Sequence, residues 1–342
     1  MMDEKTLSII STAYGWDEIQ TVPVHSGLIN TTLKVIVGGN TYLLQQVNTN
    51  VFHHPEQIDE NLGMLANHLH KQAAGYLFTA PVAMTDDKTL LAIDSRYYRV
   101  FNWVAGSHTI DVVSEPGQAY EASRQFGQFT ALLKGFDAEQ LHLSLPDFHN
   151  LSLRYRQFEK ALQNGNSERM QAATDAIAYL QSQIRIVKRY ESFIGHPQAK
   201  KRVTHHDTKI SNVLFDGQDK GICVIDLDTV MPGYFLSDVG DMFRTYSCPV
   251  SEEEKNLDLV MVRKDFMQAI EKGYLSAMTN ELSQFEKDHL YFGGEMLIYM
   301  QAIRFISDYL NNDIYYGSRY PGHNLVRTQN QVRLLEEFKK AI

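Results

Sequence analysis

The run Thr204-His205-His206-Asp207-Thr208-Lys209-Ile210-Ser211-Asn212 decides how the rest of this chain of 342 residues is interpreted. Two short apolar stretches follow it, at residues 213–215 and 222–225, and polar turn residues separate them. Short apolar runs bounded by turn residues are typical of buried strands. The pattern therefore predicts a polar loop followed by two strands, and the second strand leads into the carboxylates of Asp226 and Asp228.

Three polar residues of the loop, Asp207, Lys209 and Asn212, follow the pattern D-x-K-x-x-N. Kinase catalytic loops place their base and their metal-binding Asn at the same offset. As the catalytic base, Asp207 would orient an acceptor hydroxyl and bind this substrate, and Lys209 would face the γ-phosphate as a point charge. Asn212 and Asp226 offer the oxygen ligands that Mg²⁺ prefers. We therefore expect phosphoryl transfer from ATP, with Mg²⁺ as the metal.

Simpler interpretations of the same residues exist. His205, His206 and Asp207 are also compatible with surface polarity or with part of a zinc site, although the sequence offers no second ligand cluster at zinc-like spacing nearby. Asp226 and Asp228 are compatible with capping a turn after a strand. A base, a Lys, an Asn and a strand-end Asp occurring in order within about twenty residues favours the kinase interpretation.

Residues 206–216 and 224–233 resemble the aminoglycoside phosphotransferase/choline kinase superfamily, and within it most of all the N-acetylhexosamine 1-kinases. Residues 27–32, 238–241 and 304–310 extend the resemblance over nearly the whole chain. The resemblance implies an ATP-dependent kinase for the anomeric hydroxyl of N-acetylhexosamines, which yields the sugar 1-phosphate. It also implies that Asp228 and Arg304 contact the sugar. For Arg304 a structural ion pair with a buried acid is the open alternative.

Two other functions stay open. One is a kinase for another small alcohol, namely an aminoglycoside, choline or another amino alcohol. An acidic pocket would favour such cationic acceptors, and Asp207 and Asp228 alone do not form one. The other is a catalytically silent nucleotide-binding protein of the same fold, because the third strand carries Gln45-Gln46 where kinases usually carry a phosphate-binding Lys. Hexosamine kinases resemble the chain in this respect, and the residue that holds the α- and β-phosphates is left open.

Strand patterns dominate before residue 105 and helix patterns dominate after it. This asymmetry predicts an α+β, bilobal protein-kinase-like fold, with a small β-rich lobe on a larger, mainly helical lobe. We expect a nucleotide-binding lobe at residues 1–101, a hinge at 102–106 and a catalytic and substrate-binding lobe at 107–342. The active site is expected between the lobes.

The patterns also predict individual elements. Gly38-Gly39-Asn40 indicates a hairpin turn, and the helix at residues 55–71 is expected to pack on the sheet. Strands are predicted at residues 21–25, 32–37, 41–47, 82–84, 90–93 and 97–101. Helices are predicted at residues 6–14, 55–71, 117–133, 152–163, 167–190, 252–272 and 284–310.

Nucleotide contacts are expected at two places in the small lobe. The loop between the first two strands contains Gly27, Asn30 and Thr31, and it resembles the loop with which kinases cover the phosphates. Asn102 and Trp103 lie where the lobes would join and would present the hinge to adenine. A place in the core between the lobes is the alternative for Trp103.

Composition limits the other classes. The net charge of −9 and the lack of a Lys/Arg block argue against a nucleic-acid partner. No apolar run reaches the length of a membrane span, and the first residues lack the pattern of a signal peptide. Two cysteines, Cys223 and Cys248, suggest a reducing compartment. We expect a cytoplasmic protein that is a monomer or a weak dimer.

Overall fold

The structure is a computed structural model, and it describes residues 2–24 and 29–342. Its first lobe is a five-stranded antiparallel sheet with the strand order β1-β2-β3-β5-β4. The elements of this lobe are α1 (Glu4–Ala13), β1 (Gln20–Val24), β2 (Thr31–Val37), β3 (Asn40–Val47), α2 (Pro55–Gln72), β4 (Leu91–Ile93) and β5 (Arg96–Asn102). The predicted hairpin turn is confirmed, since Gly38 and Gly39 join β2 to β3 with φ values of +54° and +79°. Glycine adopts positive φ without the steric cost that other residues meet.

One face of the sheet is covered by α1. Ile10 of α1 and Tyr14, which follows the helix, pack there with apolar side chains of the central strands, which are Leu33, Val35, Leu44, Tyr98 and Val100. Because side chains alternate along a strand, Lys34, Gln45 and Arg99 lie on the opposite face. That face, which also carries Leu43 and Val47, turns toward the second lobe.

Helix α2 shares a hydrophobic cluster with the sheet and with the second lobe. Its buried residues Ile58, Leu62 and Leu65 belong to this cluster together with Val47 of β3 and with Phe126 and Phe129 of the second lobe. The apolar stripe of α2 is therefore buried against both lobes.

The predicted strand at residues 82–84 is wrong. Only Val82 joins the sheet there, through its N–H to Val100, and the preceding Pro81 has no N–H with which to extend a ladder.

The second lobe is mainly helical and contains two short pairs of antiparallel strands. Strand β6 (Lys201–Thr204) pairs with β9 (Met231–Tyr234), and β7 (Val213–Phe215) pairs with β8 (Gly221–Val224). Its helices are α3 (Pro116–Leu132), α4 (Leu151–Asn164), α5 (Ser167–Ala172), α6 (Thr174–Ser182), α7 (Arg185–Ile194), α8 (Phe235–Tyr246), α9 (Lys264–Met278), α10 (Gln284–Lys287), α11 (Leu290–Leu310) and α12 (His323–Ala341). The predicted α+β class with a β-rich first lobe is confirmed. Across the described ranges, no helix combines the length and the apolar character that crossing a membrane requires.

Three helices differ from their predicted bounds. The predicted helix 167–190 is divided into α5, α6 and α7, and the predicted helix 284–310 is divided into α10 and α11. Hydrophobic periodicity continues across breaks of one or two residues and does not reveal them. The predicted helix 252–272 begins only at Lys264, because Asn256 caps a separate 3₁₀ turn, Leu257–Leu259.

Helix α8 lies directly against α11. A Cβ atom on Gly240 would lie 2.3 Å from the carbonyl oxygen of Gly293, so a glycine is needed at this crossing. Since α11 is buried along most of its length, it forms a rigid support for α8. The close approach matters for the site, because α8 holds the loop that follows β6.

Candidate active site

The loop between β6 and β7 brings three predicted site residues together. The Nζ atom of Lys209 lies 3.1 Å from Oδ1 of Asp207. The amide Nδ2 of Asn212 donates to the backbone oxygen of Asp207 at 2.9 Å and to its Oδ2 at 3.2 Å. The Asp207 side chain keeps 20% of its surface exposed and that of Lys209 keeps 51%, so both can meet a ligand in the cleft.

Two carboxylates of α8 fix the backbone of this loop. Asp238 accepts the N–H groups of His205 at 3.1 Å and His206 at 2.7 Å, and Asp241 accepts the N–H of Thr208 at 3.1 Å. Burial raises the pKa of Asp238 to about 7, although the hydrogen bonds from the two N–H groups act in the opposite direction and lower it. The sequence analysis assigned no role to either acid. Their signal was present, because acids three residues apart on a helix share one face.

The two histidines of the loop use ring nitrogens inside the protein. Nε2 of His205 pairs with the backbone oxygen of Ile225 at 3.0 Å, and Nδ1 of His206 pairs with Oγ of Ser237 at 2.7 Å. Within the described residues, no three His, Cys, Asp or Glu side chains are arranged to hold a metal ion by themselves. These contacts give the zinc interpretation no support and assign both imidazoles to holding the loop.

Asp226 follows β8 in the left-handed region, with φ of +58°, and its side chain opens onto the cleft. Desolvation in the crowded cleft, and then the charges of Asp228 and Asp207, raise its pKa, while Arg99 and Lys209 oppose this effect. Three acids thus meet here, and the surplus of negative charge suits a hard cation. Asn212 and Asp226 would hold Mg²⁺, which typically takes one or two carboxylates and completes its shell with phosphate oxygens and water.

The carboxylate of Asp228 faces the first lobe and not the open cleft. It is 1% exposed, its Oδ1 lies 2.6 Å from Nη2 of Arg99, and its Oδ2 accepts Nδ2 of Asn30 at 2.9 Å. A sugar contact by Asp228 would require one of these partners to leave. The predicted nucleotide contact Asn30 therefore joins the lobes here, Thr31 begins β2 as an exposed residue, and Gly27 lies outside the described residues.

Arg99 is a residue of the site that the sequence analysis missed. It lies on β5 directly opposite Gln45 of β3. Its Nε and Nη2 atoms both donate to Oε1 of Gln45, at 3.2 and 3.0 Å. The signal was one cation inside the otherwise apolar and aromatic run at residues 97–101. Without the strand register, nothing in the sequence linked that cation to Gln45 or to Asp228.

The predicted hinge begins at the end of β5. The N–H of Trp103 donates to the backbone oxygen of Thr41 at 3.2 Å, and Nζ of Lys34 lies 4.8 Å from the indole centroid. Trp103 is 37% exposed, so the alternative that places it in the core between the lobes is wrong. Asn102, also exposed, is the last residue of β5.

In the helical lobe, Arg304 of α11 faces aromatic rings. Its guanidinium lies 5.4, 5.7 and 6.0 Å from the ring centroids of Tyr316, Phe148 and Tyr315. Its side chain donates to Oε1 of Gln301 at 3.3 Å, and it forms no ion pair with a carboxylate in the described part of the chain. The structural ion pair considered for Arg304 is therefore absent from the described contacts.

The acid one helical turn after Arg304 is used elsewhere. Asp308 accepts the backbone N–H groups of Tyr315 at 2.7 Å and Tyr316 at 2.9 Å. A second cation lies close by, because Arg154 donates to the backbone oxygen of Phe148 at 3.4 Å, and the ring of Phe148 faces Arg304. Burial and the charge of Arg304 lower the pKa of Arg154. The surroundings of Arg304 are consequently aromatic and positively charged.

A chain of ion pairs connects the catalytic loop with the surroundings of Arg304. Arg244 contacts Asp241 at 2.9 Å and Glu252 at 3.0 Å, and Glu252 also pairs with Arg327. The guanidinium of Arg327 lies 3.8 Å from the ring centroid of Phe305 and 5.3 Å from that of Tyr316. The same acid that fixes Thr208 thus takes part in positioning the aromatic residues around Arg304.

The geometry defines a class of protein. A partly exposed carboxylate held by an amide and a lysine, with a second acid nearby and a β-sheet lobe above, is suited to phosphoryl transfer. A family model described as "Phosphotransferase enzyme family" matches residues 20–260. The match covers more than half of the chain and includes the sheet, the catalytic loop and α8. The protein belongs to this phosphotransferase family.

Solved structures of the same fold include three kinases or phosphotransferases of small molecules. A microcompartment-associated aminopropanol kinase is 18% identical, has a TM-score of 0.66, and the match covers 99% of this chain and 98% of that chain. A spectinomycin phosphotransferase in complex with ADP and spectinomycin is 11% identical and has a TM-score of 0.64, and the match covers 100% of this chain and 98% of that chain. The choline kinase LicA from Streptococcus pneumoniae is 12% identical and has a TM-score of 0.54, and the match covers 97% of this chain and 98% of that chain. At these identities the similarity establishes the fold and not the substrate.

Proposed function

We propose that the protein is an ATP- and Mg²⁺-dependent kinase that phosphorylates the anomeric hydroxyl of N-acetylhexosamines to give the sugar 1-phosphate. The observation that carries the proposal is the arrangement around Asp207, whose carboxylate contacts Lys209 and Asn212 and shares the cleft with Asp226. The presence of ADP in the related spectinomycin phosphotransferase supports a nucleotide of the ATP type.

The contacts of Asp207 support its role as the base. Asn212 donates to its Oδ2, which holds the carboxylate in one orientation in the cleft. In the reaction, an acceptor oxygen forms a bond to the γ-phosphorus, the bond to the β-phosphate oxygen breaks, and the hydroxyl proton passes to Asp207. Lys209 is exposed enough to turn from Asp207 to the γ-phosphate. Mg²⁺ held by Asn212 and Asp226 would offset charge on the phosphate oxygens.

The surroundings of Arg304 support a neutral acceptor. Arg304 and Arg154 place positive charge where the acceptor would bind, and an ammonium group there would meet like charge in a partly desolvated place. Hydroxyl and acetamido oxygens, in contrast, accept hydrogen bonds from guanidinium groups. Tyr315 and Tyr316 supply rings on which a pyranose can pack. An N-acetylhexosamine meets each of these requirements.

A kinase for an amino alcohol or an aminoglycoside is the second candidate. It is favoured by the similarity to the aminopropanol and choline kinases and by the aromatic rings, because such rings bind ammonium groups. In this protein, however, the rings already face the guanidinium of Arg304. A silent nucleotide-binding protein has less support, since Asp207, Asn212 and Asp226 are all in place.

Acceptor competition tests the proposal. ADP release is measured with N-acetylglucosamine, N-acetylgalactosamine, aminopropanol, choline and spectinomycin, each offered alone and in pairs. We expect kcat/KM to be highest for an N-acetylhexosamine. Arg304→Gln removes the charge, and it should lower the ratio of kcat/KM for the N-acetylhexosamine to kcat/KM for the amines. Arg333→Gln on the surface of α12 should leave this ratio unchanged. A wild-type preference for an amine would establish the second candidate, and no ADP release with any acceptor would favour the silent protein.

We also propose a cytoplasmic location. Cys223 and Cys248 are both buried free thiols, which suits a reducing compartment. A monomer or weak dimer remains our prediction for the assembly, and light scattering at several protein concentrations would test it.

A further inference from the structure

The third strand lacks the cation that kinases place there. On β3, Gln45 points to the face of the sheet opposite α1, as Leu43 and Val47 do, and this face turns toward the second lobe. A neutral amide cannot offset the charge of phosphate groups. If the protein uses ATP, another residue has to supply positive charge at this place.

Arg99 lies at the matching position of the neighbouring strand. It is the cross-strand partner of Gln45, and cross-strand partners project from the same face of a sheet. Gln45 accepts two N–H groups from Arg99, which a lysine at position 45 could not do, because an ammonium group has no acceptor. The Gln–Arg pair therefore keeps a cation on this face of the sheet, and the cation comes from β5 and not from β3.

The other contacts of Arg99 place this cation beside the candidate metal ligands. Its Nη2 lies 2.6 Å from Oδ1 of Asp228, two residues after Asp226. Asn30 of the β1–β2 loop donates to the other oxygen of the same carboxylate. The guanidinium thus lies between the sheet, that loop and the turn after β8, which are the three parts that surround the phosphates in kinases.

We infer that Arg99 is the cation of the nucleotide subsite and binds the α- and β-phosphates in place of a third-strand lysine. The inference rests on the proposed use of ATP. Arg99 is 3% exposed, so a bound nucleotide has to replace Asn30 or Asp228 beside it. A phosphate is a suitable replacement, because a guanidinium binds two phosphate oxygens at once through parallel N–H groups.

Nucleotide titration without an acceptor tests the inference directly. Arg99→Gln should weaken binding of ATP and ADP by about 10- to 100-fold, as expected for lost charge-assisted hydrogen bonds, and adenosine by less than about twofold. Arg96→Gln is the matched control, because it removes the same charge from an exposed position of β5. It should leave all three affinities unchanged.

Moving the charge back makes a stricter test. The double variant Gln45→Lys/Arg99→Gln places a cation on the third strand, and we expect it to recover at least about tenfold of the lost ATP affinity. Arg99→Gln leaves Asp228 buried without its cation, so melting temperatures are recorded and Arg99→Gln/Asp228→Asn is tested as well. This variant should bind adenosine normally and still bind ATP weakly.

The outcomes separate the inference from the proposed function. Equal losses for ATP and adenosine in both Arg99 variants, or unchanged ATP affinity, would overturn the role of Arg99, whatever the acceptor is. Failure of every acceptor in turnover assays would overturn the proposed function and leave these titrations unaffected. Recovery of ATP affinity in Gln45→Lys/Arg99→Gln supports the inference, and no recovery contradicts it.

Discussion

The two arginines to which we assign ligand binding have different surroundings. Arg99, on the side of the first lobe, is almost fully buried and is held by Gln45 and Asp228. Arg304, on the side of the helical lobe, is only partly buried, faces three aromatic rings, and has no carboxylate partner among the described residues.

This difference indicates what each arginine is placed to bind. A buried cation is stable only with a partner that offsets its charge, and Arg99 lies where a phosphate could take over from its carboxylate. Arg304 has no carboxylate partner among the described residues, which suits repeated contact with neutral oxygens of a sugar. Substitutions at the acids and arginines of the cleft should therefore affect nucleotide binding and acceptor binding separately.

The largest effect is expected at the acid beside the Arg99 pair. Asp226→Ala removes the only charged ligand that we assign to Mg²⁺, so turnover should fall by more than about 10⁴-fold, or roughly 5 kcal/mol. The measurement is ADP release as a function of Mg²⁺ concentration. Asp216→Asn in the neighbouring hairpin is the control and should retain activity. Tight zinc in the purified protein, with activity lost on its removal, would show that the metal assignment is wrong.

Asp207→Asn should have the next largest effect. The substitution keeps the size of the side chain and removes its basicity, and general bases contribute about 10²–10⁴-fold. We expect kcat to fall in this range with nucleotide affinity and melting temperature nearly unchanged. Steady-state kinetics, nucleotide titration and thermal unfolding check the three parts. A variant with a kcat near the wild-type value would exclude Asp207 as the base.

Arg304→Ala sharpens the comparison of the two arginines. It should raise KM for the sugar by about 10- to 100-fold, the cost of lost hydrogen bonds to a charged group, and leave KM for ATP within about twofold. Arg99→Gln should raise KM for ATP and leave KM for the sugar nearly unchanged. Equal changes of both KM values in either variant would mean that the two arginines do not serve separate substrates. Arg333→Ala, on the surface of α12, is the control.

The smallest expected effect belongs to Asp308→Asn. The amide oxygen of the new side chain would still accept one of the two N–H groups from Tyr315 and Tyr316, so the loss should be about 1 kcal/mol. We expect KM for the sugar to rise by about threefold to tenfold, with ATP binding unchanged. Asp258→Asn at an exposed position is the control. A larger change in ATP binding than in KM for the sugar would show that the loop at Tyr315 does not contribute to acceptor binding.

Much of the catalytic loop was predictable because its chemistry is local in sequence. Asp207, Lys209 and Asn212 lie within six positions, and a short loop places their side chains together in any fold that keeps it. The fold class was predictable for a similar reason, since strand and helix periodicities are local patterns. The breaks within helices were missed because they depend on individual capping contacts.

The pairing of distant residues was not predictable. Arg99 and Asp228 are 129 positions apart, and only the register of β5 against β3 and the approach of the two lobes bring them together. Arg304 was found from its unusual place in an apolar helix, but the sequence did not show that the nearby acid, Asp308, binds the loop backbone and leaves Arg304 without a carboxylate partner among the described residues. Both arginines show that the partner of a charge is decided by tertiary structure.

The position of the phosphoryl group in the product tests the proposed reaction most directly. The wild-type protein is incubated with ATP, Mg²⁺ and N-acetylglucosamine, and the product is examined by ³¹P nuclear magnetic resonance with coupling to the sugar protons, beside Asp207→Asn under identical conditions. We expect a phosphorus signal coupled to the anomeric proton in the wild-type sample and almost none with the variant. Phosphate on another hydroxyl, or no sugar phosphate while aminopropanol or choline is phosphorylated, would contradict the proposal.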